Sequence, residues 1–383
     1  MAAFDVGVVG AGIHGSAAAY HLAGRGLRTV IFEGRGPAGG PTGRSSAICR
    51  AYYTNAFLAR CARDSIEMFR RYPQIIGVDA EFRHTGLLVL HPPEDAEQVE
   101  LSAKQLNDLG IEVDVLEPDE VVRRHPDIDV DGVGVAAWER GAGYADPAGA
   151  TGGLFRKAVE LGAEHRLGRT VTAIEPADGG GGTVVADEER VECSRVLIAA
   201  GPWTGALAAG FGVDLPLTVE RHIVGVYRWG SARPQPMHSD VLGGYYFRPE
   251  GEELFLVGPL HSADQVDPDD FTETASDREL HDLARPVIRR IPALEQSSIH
   301  GGWASLYDVS PDWQPVIGEV APGIFVDAGT SGHGFKLAPA LGGHVAALVA
   351  GDDVDPAIRE FHPSRFAEGR RLAAGYGDAR ILG

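Results

Sequence analysis

Residues 5–33 read DVGVVGAGIHGSAAAYHLAGRGLRTVIFE, and this stretch decides the fold. Residues 6–9 are almost wholly apolar, as a parallel strand buried on both faces requires. Gly10, Gly12 and Gly15 follow at once. An alanine-rich helix over about 16–23 is closed by Gly24 and Gly26, and a second strand over 28–33 ends on an acid. This is the order of a βαβ unit. Gly10 serves the tight turn, Gly12 lets backbone approach a pyrophosphate, and Gly15 lets helix and strand pack closely. The helix N-terminus turns its partial positive charge towards the phosphates. Glu33, 18 residues past Gly15, can accept hydrogen bonds from a ribose diol and would repel a 2'-phosphate. Strand, glycines, helix, strand and acid in register point to an adenine dinucleotide, without separating NAD from FAD.

Outward from this unit, GRGPAGGPTGRSSAICRAYYTN (34–55) is too rich in glycine, proline and serine for a helix or inner strand and reads as a loop returning to the cofactor. In 55–72, Phe57, Leu58, Cys61, Ile66, Met68 and Phe69 mark an amphipathic helix. Residues 146–174 read as helix then strand, and 195–207 as a buried strand breaking at a glycine. PADGGGGTVVADEERVE (176–192) reads as a hairpin with a flexible tip. Alternating and aromatic strands dominate 217–305 and part of 80–140. The fold expected is α/β: a Rossmann-like domain interleaved with an antiparallel-sheet α+β domain. The first takes residues 1–50, 145–215 and 306–383, and the second 51–144 and 216–305.

Composition narrows the partners. With 383 residues, roughly two domains are expected. Lys and Arg number 34 against 54 Asp and Glu, a net charge of -20 that repels nucleic acid and anionic lipid. Three cysteines without metal-ligand spacing suit a reducing cytosol and imply no metal. The chain runs straight into its first strand, and no apolar run approaches membrane-spanning length, so a soluble cytoplasmic protein is expected. Oligomeric state is open.

Seven segments together carry a resemblance: GAGIHGSAAAYHLAGRG (10–26), GRSSAICRAYY (43–53), GYADPAG (143–149), VLIAAGPWTG (196–205), VERH (219–222), LYDVSPDWQPVIG (306–318) and TSGHGFKLAPALG (330–342). The chain resembles the D-amino acid oxidase superfamily, most nearly its sarcosine oxidase and N-methyl amino acid oxidase group. The resemblance implies FAD and oxidation of an amino acid carbon–nitrogen bond by hydride transfer to flavin N5, with the imine product hydrolysing in water. It implies that Arg50 and Lys336 clamp the substrate carboxylate and that Tyr307 lies over the substrate. Ser45, Ser46 and Arg44 are matched to the pyrophosphate and the Val171 backbone to the adenine. Ile13, His14, Ala200, Gly201 and Trp203 are matched to further cofactor contacts. Gly332, His333, Gly334, Phe335 and Lys336 are matched to the N1 and C2 carbonyl edge of the flavin, where negative charge collects on reduction.

Elementary physics is consistent with the clamp that the resemblance implies, though spacing alone does not show it. Two buried cations repel unless an anion sits between them, and a carboxylate offers arginine a planar match. Lys336 also stands at a helix start, where the dipole disfavours a cation. The plainer alternatives are a surface ion pair for Arg50, a solvated Lys336, a packed aromatic for Tyr307 and a loop donor for His333. Tyr52, Tyr53, Tyr245, Tyr246, Phe247 and Trp303 could line a pocket larger than sarcosine needs. His261, His300 and His344 read as structural.

Two departures from the sarcosine oxidase pattern matter. The flavin-attaching cysteine is replaced by Ser305, a poor nucleophile, so noncovalent FAD is expected. The oxygen-activating lysine matches Leu256, and the nearby histidine matches Leu260, or His261 if the alignment slips by one. The acceptor is therefore oxygen or another electron acceptor, and the substrate a small carboxylate-bearing amine. Other readings are an amine dehydrogenase, a subunit that turns over only with a partner chain, and an NAD-dependent dehydrogenase. Bound flavin excludes the last, and rescue by a second polypeptide selects the subunit.

Overall fold

A computed structural model describes residues 2–230, 234–261 and 263–373. Residues 374–383, the end of the last Rossmann-like segment expected from sequence, lie outside the described residues. The first strand, Phe4–Val9, pairs in parallel with Thr29–Glu33 and with Glu189–Ile198. Outside these lie Glu164–Leu167 and Ile324–Ala328, again parallel. Val6, Val8, Val30, Ile31 and Phe32 are wholly buried, as their unbroken apolar runs require.

Antiparallel strands extend this sheet. Val171–Pro176, Gly182–Ala186 and Glu189–Ile198 form a meander. The hairpin expected at 176–192 is thus half of a larger unit. Asp187 turns the second corner at φ 51°, while the glycine run makes the first corner. That corner is tied down, with Gly181 N donating to Pro322 O at 2.8 Å.

Helix Ile13–Gly24 begins on Gly12, with no side-chain cap and no acid in its first turn. Helix Ala56–Arg70 is capped by Asn55, whose Oδ1 accepts from Phe57 N and Leu58 N at 3.0 and 3.1 Å. The sequence reading put that helix with the antiparallel domain. It packs with Gly334–Ala350 in a core that both sheets share, with Val6 and Val8 from the parallel sheet and Leu87, Val89 and Ala137 from the second. Ser65 Oγ joins the two helices, donating to Leu337 O at 3.1 Å and accepting from Ala340 N at 3.0 Å.

The second sheet runs in the order 298–309, 218–228, 254–259, 245–250, 238–240, 87–91, 135–139, 113–116. Its pairs are antiparallel except between His238–Asp240 and Leu87–His91. Tyr227, Trp229, Phe247 and Phe255 point to one face, where helix Asp277–Arg290 supplies Leu283 and Val287. The opposite face meets the parallel sheet. Strand Ser298–Val309 runs unbroken through the division placed at 305/306, so the chain changes sheets only after Val309.

Candidate active site

Between the two sheets lies a cavity of about 630 Å³. Gly10, Gly12, Ile13 and His14 form its floor, and Glu33 and Val171 stand at one end. Gly10 has φ +104°, a conformation open to glycine but rarely to other residues. A Cβ on Gly15 would sit 2.0 Å from Gly10 O, so strand and helix approach as closely as backbone permits. Ile13 N donates to Thr42 Oγ1 at 3.2 Å. The rest of this uncapped helix end faces the cavity, where its dipole favours an anion. Glu33 is fixed by backbone, accepting from Ala11 N at 2.9 Å and Arg35 N at 2.8 Å. A glycine cradle, an open helix N-terminus and a fixed carboxylate together fit an adenine dinucleotide.

Around the middle stand Arg44, Ser45, Ser46, Ala200, Gly201 and Trp203. Arg44 pairs with Glu273 at 2.7 Å, tying the loop to the second domain. Trp203 Nε1 donates to Asp269 Oδ1 at 2.9 Å. At the far end are Tyr307, Gly332, Gly334 and Phe335, with Tyr246 and His222. The Tyr307 ring stacks on His222 with centroids 3.9 Å apart. Burial, and then the Tyr246 hydroxyl beside it, hold the Tyr307 phenol well above its ordinary pKa, so it remains a donor. His14 carries two hydrogen bonds, Nδ1 to Asp327 Oδ2 at 2.9 Å and Nε2 to Gly334 O at 3.1 Å. Burial opposes its charge, yet the Asp327 carboxylate raises its pKa. Both ring nitrogens face acceptors, an arrangement that favours the protonated ring.

Behind Phe335 lies a buried basic cluster. Arg50 is 4% and Lys336 6% exposed. The Arg50 guanidinium stacks 4.5 Å above the Tyr53 ring and donates from Nη1 to Tyr52 O. Lys336 Nζ reaches only His333 O, at 3.5 Å, and among the described residues no carboxylate pairs with it. Burial and then the Arg50 charge push the Lys336 pKa well below that of a free lysine. His333 is fully buried and caps the helix Gly334–Ala350. Among the described residues neither ring nitrogen of His333 has a partner, and the Tyr53 hydroxyl has none either. Burial, with Lys336 and Arg50, holds that imidazole neutral. Buried donors left unmatched beside two cations describe a pocket for an anion.

Most of the sequence-derived residues therefore face one cavity. Gly15 sits beneath it as packing, and Arg50, His333 and Lys336 lie one layer beyond its lining. Of the aromatic candidates, Tyr246 lines the cavity and Tyr53 stacks on Arg50. Tyr245 and Phe247 alternate onto the opposite face, and Tyr52 is core. Leu260 is buried against Tyr246 and Trp313 whereas His261 is exposed, so the interior position belongs to the leucine. Missed from sequence were Thr42, His222 and Glu139. His222 lies in the quoted VERH segment, directly across from Ser305. Glu139 accepts from Ala51 N at 2.8 Å and Tyr52 N at 3.0 Å behind Arg50. Burial pushes its carboxyl up to about 7. No local pattern marked it, because only its surroundings set it apart.

A family model described as FAD dependent oxidoreductase (DAO) matches residues 5–348. The chain is 26% identical to the sarcosine oxidase subunit beta of Rhodobacter capsulatus, covering 96% of this chain and 89% of that protein. It is 27% identical to the monomeric sarcosine oxidase of Streptomyces avermitilis, over 95% and 98% of the two chains. Among solved structures, L-proline dehydrogenase from P. horikoshii superposes with a TM-score of 0.86 at 26% identity, over 96% and 99%.

Proposed function

Because the chain belongs to the FAD-dependent oxidoreductase family (DAO), we propose that it oxidises the carbon–nitrogen bond of a small amino acid or N-alkyl amino acid gripped by its carboxylate. FAD, when bound, supplies the hydride acceptor. The chain's own residues do the rest by position. Gly10, Gly12 and the first turn of helix Ile13–Gly24 would hold the pyrophosphate, with Glu33 at the ribose and Val171 at the adenine. Arg50 and Lys336 would take the carboxylate, and Tyr53 and the neutral His333 offer it further donors. Tyr307 and Tyr246 wall the pocket beside the flavin. Fixing one end of a small substrate this way converts binding energy into orientation.

The observation that carries this reading is Lys336, buried beside Arg50 and, among the described residues, paired with no carboxylate, since Glu139 behind them turns its oxygens to the Ala51 and Tyr52 amides. Anaerobic addition of N-methyl amino acids to the yellow protein should bleach its flavin, and failure with every amine tried would remove the proposal. Lys336→Met should weaken an unreactive carboxylate ligand about 10- to 100-fold, the loss of a charge-assisted hydrogen bond in a buried site, with flavin content unchanged.

We also read the cofactor as noncovalent, because Ser305 stands where a cysteine would attach it. Acid precipitation should leave all flavin in the supernatant. A second reading, electron transfer to an acceptor other than oxygen, is favoured by Leu256, which packs among Val224, Val226 and Trp303. Slow bleaching reversal in air with fast reversal by an artificial acceptor would select it. A cytoplasmic location belongs to the same proposal, supported by three free, buried cysteines. No helix among the described residues is long and apolar enough to cross a membrane.

A further inference from the structure

A third buried cation shares the face of the sheet that meets the cavity. Arg248 lies in strand Tyr245–Glu250, two residues after Tyr246, so both project to the same side, and Tyr246 lines the cavity. Arg248 is only 5% exposed. Its guanidinium lies 4.3 Å from the centre of the Tyr144 ring, which fixes its plane.

Its hydrogen bonds use one corner only. Nη1 donates to Pro249 O at 3.0 Å and pairs with Glu250 Oε2 at 2.5 Å. Nε is buried and has no partner. Nη2 makes no hydrogen bond among the described residues, so the edge formed by Nε and Nη2 is vacant. That edge is the one a carboxylate meets with two parallel hydrogen bonds. Glu250, whose side chain is 44% exposed, satisfies the other end and leaves the edge open. Arg248 also stands near the clamp. The Cys49 thiol feels the charges of both Lys336 and Arg248, and Cys49 is the chain neighbour of Arg50.

A substrate with one carboxylate would satisfy Arg50 and Lys336 and leave Arg248 with its buried Nε unmatched and its Nη2 open. We propose that Arg248 receives a second, distal carboxylate, making the site selective for amino acids or N-alkyl amino acids with an acidic side chain. The proposal rests on the reading of Arg50 and Lys336 as the clamp for the first carboxylate.

The test uses the FAD-loaded protein and two inert acids of equal chain length, glutarate and pentanoate, each titrated against the flavin absorbance spectrum. The wild-type protein should bind glutarate at least about tenfold more tightly. In Arg248→Met that ratio should fall to near one, and in Arg248→Lys, which keeps the charge without the fork, to an intermediate value. Should Arg248→Met lose its flavin, the Arg248→Lys ratio decides alone. A wild-type ratio near one, or a ratio that survives substitution, overturns the proposal. So does an Arg248→Met protein that reoxidises more slowly in air with its ratio intact, because the cation would then serve oxygen. N-methylglutamate should likewise reduce the wild-type flavin faster than N-methylnorvaline, a preference lost in Arg248→Met. Glutarate binding needs no turnover, so failure of every amine to reduce the flavin would remove the oxidation reading while the ratio still judges Arg248.

Discussion

A lysine three residues into a buried helix, beside a buried arginine, is stable only if it gives up its proton or gains an anion. Burial and Arg50 both depress the Lys336 pKa, and a bound anion opposes that shift. Binding a carboxylate should raise that pKa, and calorimetry in buffers of different ionisation enthalpy should record proton uptake on binding. Uptake that persists in Lys336→Met would assign it elsewhere. Glu139 behaves oppositely. Its carboxyl is raised from 4.5 to about 7 by burial, against the Ala51 amide and the Arg50 charge. Between those pH values the folded protein keeps a proton that the unfolded chain has released, so stability declines as pH rises through that window. Relative to Glu139→Gln, wild-type unfolding free energy should drop by up to about 3 kcal/mol from pH 4.5 to 7, read from urea titrations. Equal slopes for both proteins would refute that role. The shift of Lys336 makes stability rise with pH, so the variant comparison isolates the glutamate.

At the scale of elements, two helices bring the cavity floor and Lys336 together. Helix Gly334–Ala350 lies across helix Ile13–Gly24, and a Cβ on Gly342 would come within 2.7 Å of Ala17 Cβ and 3.0 Å of Ala17 C. Backbone cannot yield as a flexible side chain does, so Gly342→Ala must push the helices apart. A loss of about 1–3 kcal/mol is expected, with a lower thermal midpoint and weaker flavin retention. An unchanged midpoint would show that the crossing relaxes freely. Both helices lack a side-chain cap at the N-terminus, unlike Ala56–Arg70 and Pro147–Glu160, which Asn55 and Asp146 cap. The uncapped ends are those that face the cavity and its neighbouring pocket. Strand alternation performs the same sorting in the second sheet, turning Tyr246 and Arg248 to the face that meets the cavity and Tyr245 and Phe247 to the core.

At the scale of the molecule, the cavity is a seam between two sheets, and segments far apart in sequence close it. Arg365 and Asp312 are both essentially fully buried and meet in a two-pronged pair, Nε to Oδ2 and Nη2 to Oδ1, each 2.9 Å. Leu372 N adds a 3.0 Å hydrogen bond to the same carboxylate, fastening the segment after the last long helix to the turn that follows strand Ser298–Val309. Arg365→Met would strand a buried carboxylate and should cost about 3–5 kcal/mol in denaturant unfolding. The double variant Arg365→Met/Asp312→Leu should recover part of that loss, and no recovery would place the effect in packing rather than charge.

The glycine fingerprint, the buried strand before it and the acid after it were legible because their constraints are local. A positive φ, a backbone contact and a ribose-facing carboxylate are set within one βαβ unit. The core that helix Ala56–Arg70 shares with both sheets, the extra strand of the meander and the strand running through 305/306 were not legible, because periodicity names an element without naming its neighbour. The sequence by itself determined the dinucleotide unit and the residue types available to a site. Tertiary structure alone decided that Arg50 and Lys336, 286 positions apart, are buried where each feels the other's charge. It also decided that Glu139 lies behind them and that Arg248 turns its face to the same sheet surface as Tyr246. The physical reason is that burial and the meeting of charges are properties of the packed sheets, absent from any stretch of chain short enough to read.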